Sequence, residues 1–82
     1  KMLDLYSQVA LTRDVPEAGL REGDVAVLVD LVEHPQSGEP GAVLEVFNVL
    51  GESIDVVTVP MPLIQMLTAD YVPAVRLLTH TP

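Results

Sequence analysis

From Gly23 to Pro60 the chain carries two β-branched stretches, residues 24–33 and 42–59, on either side of the insert His34-Pro35-Gln36-Ser37-Gly38-Glu39-Pro40-Gly41. The second stretch is itself interrupted at Leu50, Gly51 and Glu52. Valine and isoleucine lose rotamer freedom in a helix and pack well on a pleated surface. The run therefore predicts a three-strand antiparallel meander, the body of a small β-barrel. It fixes a fold class and supplies no chemistry.

Eighty-two residues make one domain, residues 1–82. A chain this short buries only about 60% of the surface its unfolded form exposes, so its stability is marginal. Hydrophobic residues are 49% of the chain, yet there is one Phe and no Trp, so the core has to be aliphatic. Without Cys there is neither a disulfide nor a thiolate metal site, which suits a reducing cytosol. The net charge of -8 repels phosphate backbones and attracts basic proteins, which argues against nucleic acid as a partner. No apolar run approaches the roughly 20 residues of a membrane-spanning helix. A basic segment followed by an apolar one is missing at the amino terminus, so the expected location is cytoplasmic.

Along the chain, Val9, Ala10 and Leu11 read as a first strand. Residues 12–23 read as a long surface loop of charges, Pro16, Gly19 and Gly23. Leu20 is expected to tuck back over the core. In residues 24–33, Asp24 and Asp30 mark one face as wet, which sends Val25, Val27, Val29 and Leu31 inward and Ala26, Leu28 and Val32 outward. In residues 42–49, Glu45 marks the outer face, with Leu44 and Val46 buried and Phe47 outside. Gly51 supplies the positive φ of the next turn. In residues 53–59, Asp55 marks the outside, placing Ile54, Val56 and Thr58 inward and Val57 and Val59 outward. Pro60 and Pro62 end that strand. One tight turn is expected over residues 63–67, and Thr68 is placed to cap another. Residues 75–78 read as the last strand, residues 79–82 as a frayed end, and Tyr6 and Tyr71 as closing the barrel ends. The pattern predicts an all-β chain, an SH3-like barrel of about five antiparallel strands with short turns near the last. An OB-like barrel is the alternative, but Ser53 follows Val49 too closely to leave room for its helix.

These residues resemble a known family. Leu11, Thr12, Asp14, Pro16, Gly19 and Leu20 lead into Gly23, Asp24 and Val25. They are followed by Leu44-Glu45-Val46-Phe47-Asn48, Gly51-Glu52-Ser53-Ile54, Val56-Val57-Thr58-Val59-Pro60, and finally Thr68-Ala69-Asp70 with Val75 and Arg76. Together they are similar to DUF4926, a small bacterial domain of unknown function, over nearly the whole chain. The resemblance implies a compact single domain, sometimes encoded near genes of toxin–antitoxin character, and carries no catalytic residues. The loop of residues 35–41 is long for that pattern.

Site chemistry is sparse. Asp30, Glu33 and His34 suggest a metal, but a strand sends the two acids to opposite faces, and His80 lies in the tail. Ser7, Ser37 and Ser53 have no His-plus-acid arrangement, so the expectation is a protein without catalysis, cofactor or metal. Tyr6, Phe47 and Tyr71 have no interleaved bases for stacking nucleic acid. Surplus apolar residues remain: Leu28, Phe47, Val57 and Val59 on faces tagged by acids, and Met61, Leu63, Ile64, Met66 and Leu67 beyond. They are either interface or covered core. The expected function is a non-enzymatic protein-interaction module for a basic protein, with Asp14, Glu17, Glu45, Phe47, Asp55 and Met61 as contact residues. Self-association into a homo-oligomer through an open barrel edge is a second route. The alternative function is an antitoxin or immunity-type protein that blocks a neighbouring basic toxin or enzyme.

Overall fold

A computed structural model describes residues 4–33 and 38–78. Five strands form one antiparallel sheet: β1 Gln8–Leu11, β2 Val25–Val32, β3 Gly41–Phe47, β4 Ser53–Pro60 and β5 Ile64–Met66, in the order β4-β3-β2-β1-β5. Among the described residues the only helical pieces are two 3₁₀ turns, Pro16–Ala18 and Met61–Leu63. The chain is all-β, and its strand order is consistent with an SH3-like barrel. None of its described helices is long and apolar enough to cross a membrane.

The meander forms where the β-branched runs predict it. Asn48 closes the β3–β4 turn. Its Oδ1 accepts the N–H groups of Leu50 and Glu52, its Nδ2 donates to Glu52 Oε1, and Gly51 takes φ 84°. The long β1–β2 loop folds back on itself. Val15 and Leu20 exchange backbone hydrogen bonds of 2.8 and 3.1 Å, and both side chains are buried. The core is aliphatic as expected, with Val9, Leu11, Leu28, Leu44 and Val59 fully buried.

Two strand faces are reversed from the alternation. In β2 it is Ala26 and Leu28 that are buried, while Val25, Val27 and Val29 are half-buried. Two causes combine. A bulge lies between Leu28 and Asp30, so Leu28 pairs with Leu44 but Asp30 pairs with Val43. An extra residue shifts side-chain parity by one, so Asp30 reports the face only of the strand beyond it. Leu31, past the bulge, pairs with buried Ala42 but stays exposed. Asp24, meanwhile, lies on the same side as Ala26 and is tied to Arg76 rather than to water. In β4, Val59 is buried and Val57 packs on the core, while Ile54, Val56 and Thr58 are exposed. Asp55 pairs with Val46, on the core side of the sheet, but lies where the strand outruns the core.

Three further expectations are corrected. The last strand is Ile64–Met66, paired with the free side of β1 through Val9↔Met66 and Leu11↔Ile64; residues 71–78 form no strand. Ile64 and Met66 pack on the core on either side of exposed Gln65, a three-residue alternation that only a waiting neighbour makes into a strand. The tight turn expected over residues 63–67 falls at Met61–Leu63, where Pro62 occupies a position needing no N–H. Tyr6 and Tyr71 do not close the ends of the fold: both are exposed, while Val15 and Leu20 of the β1–β2 loop belong to the buried core. Thr68 does cap a turn, its Oγ1 accepting the Asp70 N–H. The frayed end at residues 79–82, the loop residues 34–37 and the metal candidates His34 and His80 lie outside the described residues.

A candidate interaction surface

The β1–β2 loop is organised by backbone and carboxylate hydrogen bonds. Gly19 takes φ 71° to end the first 3₁₀ turn, and Asp14 Oδ1 accepts the Glu22 N–H at 2.8 Å. Asp14 is therefore a loop staple as well as a surface acid. Glu17 lies on the exposed first 3₁₀ turn, beside β4.

At the loop's end Asp24 anchors the C-terminal segment. Arg76 Nε donates to Asp24 Oδ1 at 2.8 Å, and Arg76 Nη2 donates to Asp24 Oδ2 at 2.6 Å. The Arg21 N–H adds a third bond, at 2.8 Å to Oδ2. Burial by itself pushes the Asp24 carboxyl up. The bonds from Arg76 and Arg21, with the charges of both arginines, outweigh it and hold Asp24 below the usual carboxylate range. Asp24 in turn raises Arg76 above its ordinary value, chiefly through their hydrogen bonds. A shallow concavity of about 240 Å³ opens beside the pair, lined by Asp14, Leu20, Arg21, Arg76 and Leu78 among others. Alternation reads Asp24 as a solvent marker, and nothing local to either residue points to Arg76.

This pair gives a pH prediction. A carboxyl depressed in the native state contributes fully above its unfolded pKa and loses that contribution as pH falls through the native value. Side-chain exposures of 29% for Arg76 and 15% for Asp24 leave partial solvent screening. Arg76→Met should therefore cost about 1 kcal/mol at neutral pH. In strong acid, with Asp24 protonated in both proteins, the gap should close. Urea unfolding of both proteins at the two pH values measures it, and a gap unchanged in acid would refute the assignment.

The other candidates fall in separate places. Glu45 and Phe47 share the outer face of β3, where Glu45 pairs with Val27 and Val56. Asp55 belongs to the opposite side, across from Val46. Met61 is half-buried against the core. The surplus apolar residues are mostly core: Leu28 and Val59 are buried, and Val57, Leu63, Ile64 and Met66 pack against them. Phe47 stays 38% exposed. Alternation misses the exposed apolar residues of β4, Ile54 and Val56, and those of the C-terminal segment, Val72, Val75 and Leu77.

Charge is divided unequally. Arg21 and Arg76 bracket residues 22–75, a stretch without a single Lys or Arg. Of the twelve acids, all but Asp4, Asp14 and Glu17 lie in it. Strands β2 to β5 are thus free of cations, and the described arginines Arg13, Arg21 and Arg76 sit in the β1–β2 loop and the C-terminal segment. No group of three or more His, Asp or Glu side chains able to hold a metal occurs among the described residues. Neither a family model, nor a curated protein, nor a solved structure matches the chain.

Proposed function

We propose that the chain is a non-enzymatic protein-interaction module of the DUF4926 type, acting in the bacterial cytoplasm on a basic protein partner. The observation that carries this reading is the exposed apolar strip of Phe47, Ile54 and Val56, set in a stretch with acids and no bases. The negative field steers a cationic surface inward, and the apolar strip, once dehydrated, holds it. Asp14 and Glu17 add charge from the loop, and the half-buried Met61 lies at the far end of β4. A chain without Cys suits the reducing compartment.

The test is affinity purification of the tagged chain from its host, followed by binding measurements with the purified captured protein. A basic protein should be captured, and its affinity should fall at least about tenfold when salt rises from roughly 50 to 500 mM. Phe47→Glu, checked for folding by circular dichroism, should weaken binding by about tenfold or more, near 1.4 kcal/mol. Capture of no basic protein, or binding indifferent to both salt and Phe47→Glu, would overturn the reading.

A further inference from the structure

We propose that the free edge of β4 takes an extended segment of the partner as an additional strand, and that this segment alternates apolar residues with Lys or Arg. The proposal rests on the basic-partner reading above and names its docking site.

The hydrogen bonds of β4 show which of its backbone groups lie outside the sheet ladder. Val56 donates its N–H to Asp55 Oδ1 at 2.9 Å, so that donor lies outside the β3 ladder. Antiparallel pairs alternate between hydrogen-bonded and non-hydrogen-bonded, which makes Glu45↔Val56 a non-bonded pair and Val43↔Thr58 and Gly41↔Pro60 likewise. Pro60 has no N–H to give, in agreement with that parity. The N–H and C=O groups of Val56 and Thr58 therefore point away from β3, with the Val56 N–H held by Asp55 Oδ1. At the other end of the sheet, β5 is three residues long and a poor template.

Proteins guard such edges with lysines, prolines, bulges or misplaced charges. Strand β4 has no Lys or Arg. A register shift between Val46 and Phe47 and the terminal Pro60 lie at its two ends, leaving Asp55 as the one charge along residues 55–59. The side chains there set the occupant's chemistry. On the outer face an added strand would lie beside Val56, which is 57% exposed, with Phe47 on the next strand. On the other face it would lie beside exposed Asp55. Apolar residues fit the first and a cation the second, and Glu17, Glu45 and Glu52 extend the negative surround. A second copy is the poorer occupant, because it brings another Asp55 and a further charge of -8.

The probe is a fluorescent eight-residue peptide alternating lysine and valine, followed by anisotropy. Its control is the same peptide N-methylated at every second residue, which keeps charge and side chains but removes backbone donors. The wild-type chain should bind the first at least tenfold more tightly. Asp55→Lys and Val56→Lys, both at exposed positions, should each weaken binding by at least tenfold. Equal binding of the two peptides would overturn the proposal by showing that charge alone acts. So would sedimentation of the wild type as a dimer that Val56→Lys dissociates, since the edge would then belong to a second copy. If Asp55→Lys and Val56→Lys leave capture of the basic host protein unchanged, the edge proposal falls and the proposed function stands. If no basic host protein is captured, the proposed function falls whatever the peptide does.

Discussion

Leu28→Ala is expected to destabilise the chain by about 2–5 kcal/mol, against about 1 kcal/mol for Val27→Ala. Leu28 is fully buried and pairs with fully buried Leu44 at the centre of the sheet, so truncation leaves a cavity walled by strands that cannot collapse. Val27 is half-buried on the outer face, and water fills the space it vacates. Small domains have total stabilities towards the low end of roughly 5–15 kcal/mol, so Leu28→Ala should leave a substantial unfolded fraction. Urea unfolding of the two variants followed by circular dichroism gives the comparison. Strict alternation from Asp30 predicts the opposite order, and a larger loss for Val27→Ala would restore it.

Gly41→Val is expected to cost about 1–3 kcal/mol by overpacking. Gly41 opens β3 between Val32 and Pro60 and is buried. A Cβ there would stand 3.0 Å from the Thr58 Cγ2 and 3.0 Å from the Val32 Cγ2, closer than side-chain carbons pack. Both neighbours are β-branched, so relieving the contact takes a full rotamer change or a backbone shift rather than a small swing of one methyl. Glycine serves here for its lack of volume, where Gly51 serves for its left-handed φ. Val32→Ala should relieve the clash, making the double variant more stable than the sum of the single losses predicts. Strict additivity in thermal unfolding would show that the cost lies elsewhere.

Local chemistry in the sequence carried much of the fold. β-branched density located β2, β3 and β4 to within a residue or two, a lone large apolar residue in a charged loop marked Leu20 as core, and a glycine between β-branched runs marked the turn at Gly51. Facing was a different matter, because it rested on acids as solvent markers. Asp24 is bound by an arginine 52 residues away, Asp30 lies beyond a bulge, and Asp55 lies past the end of the core. A bulge leaves no trace in composition, and a distant partner leaves none in spacing. Strand β5 was missed for a related reason: three residues become a strand only because β1 has a vacant side. Of the candidate surface, the acidic character and the exposure of Phe47 were legible. The exposed β4 edge was not, since it required knowing which strand ends the sheet.

The proposed binding surface is the cation-free side of the sheet, at β3 and β4, rather than the arginine-lined concavity near Asp24. Chemical-shift mapping of the isotope-labelled chain during titration with the alternating lysine–valine peptide reads this directly. The largest changes should fall on the amides of Asp55, Val56 and Thr58, with smaller ones at Glu45 and Phe47. Changes confined to Asp14, Arg21 and Arg76, with β4 unmoved, would contradict it.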